Sequence, residues 1–311
     1  MGRRYDSISF LSDYGSRDES AGVVRAVLRD LAPHAHVIDL THDIAPFDVR
    51  GGSLALARAV SFVPEGVVLA IVDPGVGTSR HAIAIEVADG AGVIVGPDNG
   101  LLAPAVSMAG GAGRSVVLSN TDFHLAVSGF ISAGRDVFAP VTAHLCNGVD
   151  IAELGDLVDP DTLMPGMVPL PREDGGAIVC EVLWVDRFGN CQLNLGPDEI
   201  ASLASTLGDR LRVSVGDLAN HSGQGAPAVR VASLERTFAS VGVGAVGLVV
   251  DAHGMLSLVL DRRSAADELG IGAGDQVLLE PLSDAGAAGA AAPSITSAVT
   301  LRPGPASSNH G

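Results

Sequence analysis

The chain has 311 residues, 47 % apolar and 18 % charged, the composition of a globular protein with room for about two domains. Thirty-six acids against 19 bases leave a net charge of −17, which argues against sequence-independent nucleic-acid binding and against docking on anionic lipid, since both need cationic surface. All 19 bases are arginine, so lysine Schiff-base chemistry and a lysine-bearing phosphate loop are excluded.

The first half alternates apolar runs with helical patterns. Ile8–Leu11 is a short, mostly apolar run ending at Ser12–Asp13. Val23, Val24, Val27, Leu28 and Leu31 form a stripe at helical spacing, stopped by Pro33. His36–Leu40 reads as a strand, and Leu54, Ala57 and Val60 suggest a second helix. Val67–Val72 is continuously apolar, the pattern of a strand buried on both faces of a sheet covered by helices. Ala82–Val87 and Gly92–Val95 read as further strands. Near the end of this half, Asp136 is expected to cap a helix beginning at Val137–Phe138.

The proline-rich stretch 165–176 is expected to connect two domains. Beyond it, Ala177–Val185, Cys191–Leu195, Arg210–Val215, Leu248–Val250, Leu256–Leu260 and Gln276–Leu279 read as short strands, with one helix near Ser264–Leu269. The predicted fold is an α/β N-terminal domain (1–164) with a mixed or parallel sheet, plus a smaller all-β C-terminal barrel (177–282). The Ala/Gly/Pro/Ser-rich segment 283–311 is expected to be a disordered tail. Cys146, Cys180 and Cys191 form no CxxC and are expected as buried free thiols. With no secretory signal and no apolar run long enough to cross a bilayer, the expected location is the cytoplasm.

In open α/β sheets ligands sit beyond the carboxyl ends of the strands. Three polar loops occupy such positions: Ser12-Asp13-Tyr14-Gly15, the segment from Asp73 to Arg80, and Gly96-Pro97-Asp98-Asn99-Gly100. Each places a carboxylate or amide beside glycines that shape the backbone. Each also has a plain reading as turn chemistry: Asp73-Pro74-Gly75 as a turn, Asp13 as the acceptor of an Asx-turn, Asn99-Gly100 as a tight turn. Their joint placement favours a pocket.

Six motifs then carry a family resemblance. SDYG at 12–15, THDIAPFDV at 41–49, VDPGVGTSR at 72–80, GPDNGLL at 96–102, GRDVFAPVTAHL at 134–145 and VDRFGN at 185–190 resemble, in order, the S-adenosylmethionine (SAM) hydroxide adenosyltransferases, relatives of the fluorinases and chlorinases. The resemblance covers about residues 5–281. It implies SAM hydrolysis to adenosine and methionine, by water attacking the ribose C5′ carbon in line with the departing thioether. It also implies a homotrimer with SAM between the N-domain of one subunit and the C-domain of its neighbour, with no metal and no further cofactor. Asp73 matches the water-activating aspartate and Arg80 its arginine partner. Asp13 matches the ribose-binding acid, Phe47 an aromatic beside the ribose and sulfonium, and Ser20 a serine at the methionine end. Asn99 belongs to the loop lining the pocket. Asp186 matches the acid that pairs with the methionine ammonium, and Phe188 and Asn190 the adenine site. Gly134 stands where the fluorinases resemble a serine contact to halide.

Two positions depart from the pattern. Ala133 stands where many relatives carry histidine, so the water is held either by Asp73 and Arg80 alone or with help from another group such as Ser132; Ala252 stands where they often carry a serine for the substrate carboxylate, a role left to backbone amides of that turn. A halide transferase and a non-catalytic SAM- or adenosine-binding trimer are the alternatives. The carboxylate at 73 disfavours the first. Two signals are decoys. Gly242-Val243-Gly244-Ala245-Val246-Gly247 has the spacing of a dinucleotide loop but runs into a predicted hairpin. His34, His36 and His42 lack a further ligand at metal-binding spacing.

Overall fold

A computed structural model describes residues 4–126, 132–207, 209–216 and 228–282. The expected tail therefore lies outside the described residues. The chain divides into two compact units, the first comprising Met1–Leu170, Glu181–Val185 and Gln192–Asn194, the second Pro171–Cys180, Asp186–Cys191 and Leu195–Gly311.

The N-terminal sheet is built from β1 (Ser7–Ser12), β2 (His36–Thr41), β3 (Val67–Ile71), β4 (Ala82–Val87), β5 (Gly92–Pro97), β6 (Ser115–Val117) and β7 (Asp156–Val158). Its strand order is β2-β1-β3-β5-β4-β6-β7. β2, β1, β3 and β5 run parallel, while β4, β6 and β7 pair antiparallel, so the sheet is mixed. Helices α1 (Ser20–Leu31), α2 (Val49–Val60), α3 (Ala103–Met108) and α4 (Ala139–Cys146) cover it.

The continuous apolar run of β3 is explained by burial on both sides. Val67, Leu69 and Ile71 join one core with Val24 and Leu28 of α1 and Val141 of α4. Val68, Ala70 and Val72 join the other with Leu56 of α2 and Val106 of α3. Successive side chains alternate between faces, as the strand period requires. The α1 stripe works because Ala21, Val24 and Leu28 fall on one buried face. α2 starts where Asp48 accepts the Gly51 N–H at 2.8 Å.

Asp136 does not cap a helix. Residues Gly134–Phe138 form a π turn that leads into α4, with Asp136 inside it. Its carboxylate accepts from the Arg135 guanidinium, at 2.9 Å for Nη2. An aspartate within a turn has its local N–H groups already committed to helical bonding, so a side-chain cation satisfies it instead. Single π turns inside helices are frequent at functional sites.

The second sheet contains β8 (Arg172–Asp174), β9 (Ala177–Val185), β10 (Cys191–Leu193), β11 (Arg210–Val215), β12 (Ala228–Glu235), β13 (Val246–Val250), β14 (Leu256–Leu260) and β15 (Gln276–Pro281). Its order is β10-β14-β13-β12-β11-β15-β9-β8, and an additional β9–β10 pairing closes seven of the strands into a barrel. Val213 faces Leu279 and Val215 faces Val277 across β11 and β15, placing a buried apolar set on one side of the pair. Two helices accompany the barrel, α5 (Pro197–Leu207) and α6 (Ala265–Leu269), the latter capped by the Ser264 hydroxyl on the Asp267 N–H at 3.0 Å. The glycines at 242–247 feed β13, which forms an antiparallel hairpin with β14. No helix begins there, so the dinucleotide pattern has no structural counterpart.

All three cysteines are buried and unpaired. Burial pushes the Cys146 and Cys191 thiols up to about 12, so both stay protonated and inert at neutral pH.

Candidate active site

Strand order fixes where a ligand goes. After β1 the chain crosses through α1 to β2 on one side, then returns through α2 to β3 on the other. The direction of winding therefore switches between β1 and β3, and a crevice opens at their carboxyl ends. Asp13 follows β1 and Asp73 closely follows β3. The two loops are stitched together by the Asp13 N–H, which donates to the Ile71 carbonyl at 3.3 Å.

Asp13 Oδ2 accepts the backbone N–H of Phe47 at 2.9 Å. Phe47 has φ of 70°, in the left-handed region that bulky side chains avoid. Its ring is 71 % exposed and stands on the wall of the cleft. A strained backbone presenting an aromatic ring to a cleft is the kind of local cost that functional sites carry.

Asp73 Oδ1 accepts from Arg80 Nη1 at 2.6 Å and from the Gly75 N–H at 3.1 Å. The second bond is the turn chemistry anticipated from Asp-Pro-Gly; the first goes beyond it. The carboxylate is only 11 % exposed, the guanidinium 29 %. Gly75 makes the pairing possible, because a Cβ there would lie 2.5 Å from the Arg80 guanidinium carbon.

A cleft of about 480 Å³ joins these groups. Its lining includes Asp13, Ser20, Phe47, Asp73 and Gly134 from the predicted set, with Tyr14, Val76, Ser132, Ala133 and Arg135. Ser20 opens α1, and hydrogen bonds from its N–H and hydroxyl hold the Asp18 carboxyl below its ordinary value. The sequence assigns Tyr14 no role of its own, although it sits inside the SDYG motif and is one of only two tyrosines. Burial, with the Asp13 and Asp73 charges, pushes its phenol well above the ordinary range. The hydroxyl therefore stays neutral.

Arg80 and Asn99 are not on the wall of this cleft. Arg80 reaches it through Asp73. Asn99 spends its amide internally: Nδ2 donates to the Val72 carbonyl at 2.9 Å and Oδ1 accepts from the Leu101 N–H at 3.1 Å. It braces the peptide just before Asp73.

A further set of contacts holds the Asp13 loop. Ser12 Oγ lies 2.8 Å from His42 Nδ1 and accepts the Tyr14 N–H at 3.3 Å. His42 Nε2 lies 3.0 Å from Asp39 Oδ1, and the Gly15 N–H donates to the His42 carbonyl at 2.7 Å. His42 thus serves as a brace, and His34 reaches a different partner, the Cys146 carbonyl, at 3.3 Å.

Asp186, Phe188 and Asn190 line a cleft of about 540 Å³ in the second unit, with Phe238, Arg262 and Arg263. Phe188 is 72 % exposed. The Asp186 carboxylate accepts from the Phe188 and Asn190 N–H groups at 2.8 and 2.9 Å and from Asn190 Nδ2 at 2.8 Å. Three donors on one carboxylate set the shape of the loop. At the Ala252 turn, the amides of His253 and Met255 are taken by Asp251 Oδ1 at 2.8 and 3.1 Å.

An α/β domain with paired carboxylates at a topological switch, followed by a small closed barrel, defines the class of this protein. Residues 8–155 match the SAM hydroxide adenosyltransferase N-terminal domain and residues 180–278 the C-terminal domain, and the chain belongs to that family. It is 42 % identical over 270 residues to the (R)-S-adenosyl-L-methionine hydrolase of Salinispora tropica, covering 87 % of this chain and 96 % of the relative. It is 37 % identical over 288 residues to the enzyme of that name from Thermus thermophilus, covering 88 % and 98 %. A crystal structure of a conserved protein from Thermotoga maritima superposes with a TM-score of 0.77 at 32 % identity, covering 88 % of this chain and 99 % of the other. Proteins named fluorinase are more distant, at 24 to 26 % identity.

Proposed function

We propose that this chain hydrolyses SAM to adenosine and methionine. The observation that carries the reading is the Asp73–Arg80 pair beside the switch-point cleft, in a chain whose nearer relatives are named SAM hydrolases. Water attacks C5′, the new O–C bond forms as the C5′–S bond breaks, and the bonding pair leaves on sulfur. The cationic sulfonium becomes a neutral thioether, so the leaving group needs neither a proton nor a metal. Only the water must lose a proton. Asp73 is the proposed acceptor, and a positioned general base contributes about 10²- to 10⁴-fold in rate. Arg80 keeps that carboxylate aimed through the 2.6 Å ion pair.

In this reading Asp13 binds the ribose hydroxyls, Phe47 packs beside the ribose, and Ser20 meets the methionine end. Gly134 leaves room at the cleft floor, and Asn99 braces the loop bearing Asp73. Asp186, Phe188 and Asn190 take the ammonium and the adenine. We further propose a homotrimer acting in the cytoplasm, in which these two groups of residues meet across subunits. Among the described residues no helix is long and apolar enough to cross a membrane.

Incubation with SAM, with and without chloride or fluoride, followed by chromatography, tests the reading. Adenosine is expected in every case. A 5′-haloadenosine as main product selects the halide transferase, and tight SAM binding without turnover selects the non-catalytic binder. Sedimentation velocity tests the trimer.

A further inference from the structure

Ala133, on the cleft wall with Asp73, offers an attacking water no hydrogen-bonding side chain. Water poised between a base and an electrophilic carbon has two hydrogens to place. One goes to the base. The other must be held, or the molecule rotates and its lone pair leaves the line of attack.

Tyr14 has the placement to hold it. The Ser12 hydroxyl and the His42 carbonyl pin its loop from either side. Its ring packs against the core beneath α1 and α4, so the side chain has little freedom. The hydroxyl reaches across the cleft to the π turn: a Cβ built on Gly134 would lie 2.1 Å from the Tyr14 oxygen. Glycine at 134 is what lets the phenol come so close. The same cleft wall carries Asp13, Asp73 and Ala133, and among the described residues the phenol oxygen has no hydrogen-bond partner.

We propose that Tyr14 is a further catalytic residue whose phenol oxygen accepts the second hydrogen of the attacking water while Asp73 takes the first. This rests on the hydrolase reading above. No proton leaves Tyr14. The water's first proton ends on Asp73, its oxygen on C5′, and the second hydrogen stays on the product hydroxyl. The two carboxylates and burial that keep the phenol protonated suit this role, because a phenolate would place a third negative charge beside them.

The test is Tyr14→Phe, which keeps the ring and removes only the hydroxyl. The expected result is a kcat roughly 10- to 100-fold lower, with KM for SAM within about threefold and an unchanged melting temperature. A second readout is specific to the geometry. Methanol has one hydroxyl hydrogen, and its methyl group would meet the Tyr14 oxygen. In aqueous methanol the ratio of 5′-O-methyladenosine to adenosine should therefore rise in Tyr14→Phe relative to wild type. If the variant lowers stability, the product ratio still reads the geometry, because it compares two nucleophiles on one folded population. Wild-type turnover with unchanged kcat and unchanged product ratio in the variant overturns the role of Tyr14 alone. Absence of adenosine from the wild-type protein overturns the hydrolase reading and this role with it.

Discussion

The Asp13 carboxylate and the Phe47 backbone N–H meet at 2.9 Å across 34 residues of sequence. One oxygen of Asp13 thus holds a backbone that bulky residues avoid, at a cost of about 1–3 kcal/mol. Oδ1 takes no hydrogen bond among the described residues and remains for a ligand. Two consequences follow from losing this carboxylate: the proposed acceptor for the ribose hydroxyls is gone, and the Phe47 turn loses its anchor.

Asp13→Ala should therefore act on binding. A charged hydrogen bond is worth about 1.5–3 kcal/mol, so KM for SAM should rise roughly 10- to 150-fold, with a smaller fall in kcat. Steady-state kinetics together with calorimetric titration of adenosine checks this. A pure kcat defect with intact affinity would remove Asp13 from the binding role.

Gly75 makes a second, indirect prediction. A methyl group at 75 cannot coexist with the Arg80 guanidinium where it now lies. Since Arg80 is on a surface loop, it can swing away at little cost in stability. Gly75→Ala should separate Arg80 from Asp73 and lower kcat by about 10-fold or more, with thermal unfolding shifted by a few degrees at most. Matched kcat in variant and wild type would show that the ion pair does not matter for turnover.

Much of this was legible in the sequence because the physics was local or periodic. The apolar run 67–72 could only be a strand buried on both faces, and the loops after β1 and β3 announced themselves through Asp beside Gly and Pro. Strands β6 and β7 were not legible: three residues each carry no period, and they exist because β4 offers a free edge. The helix α5 follows Gly196-Pro197, residues typical of turns, and its start is held by Glu199, which accepts the Gly196 N–H at 3.0 Å. Asp136 was misplaced because a π turn has no sequence signature of its own. At the site, the Asn99 amide braces the Val72 carbonyl, a contact between residues far apart in sequence that no local pattern announces. The place of Tyr14 is likewise non-local: only the fold brings its hydroxyl to Gly134.

The edge of the N-terminal sheet carries a stability prediction. Arg114 donates from Nε and Nη2 to the buried Glu86 carboxylate, both at 2.7 Å, and from Nη1 to Asp150 at 2.8 Å. Removing it leaves Glu86, which is 7 % exposed, with only the longer Arg4 contact at 3.4 Å. Arg114→Ala should cost about 1–3 kcal/mol at pH 7, read from urea unfolding. Arg114 and the Ala152 N–H hold the Asp150 carboxyl below its ordinary 3.8. A depressed folded value means the contribution is complete above pH 3.8 and fades as the pH falls through the lower folded value. The destabilisation should therefore shrink in strong acid. An equal cost at pH 7 and pH 2 would show that packing, not charge, is at stake.

The last prediction concerns the nucleophile. A lone carboxylate about 4 Å from an incoming halide would repel it by ~4 kcal/mol at an effective dielectric of ~20. Here the carboxylate is paired with Arg80 at 2.6 Å, so the net charge near the attacking position is small and the repulsion correspondingly weaker. Exclusion of halide then depends on the pair remaining intact. Asp73→Ser removes the proton acceptor and leaves the guanidinium without its partner, which turns the loop into an anion site. Hydrolysis should fall by about 10²-fold or more, and 5′-chloro-5′-deoxyadenosine should appear in molar chloride, increasing with chloride concentration. Asp73→Ser with Arg80→Ala should lose the chlorinated product while remaining as slow in hydrolysis. If the single variant forms none, the selection of water resides elsewhere in the cleft than in the charge at 73.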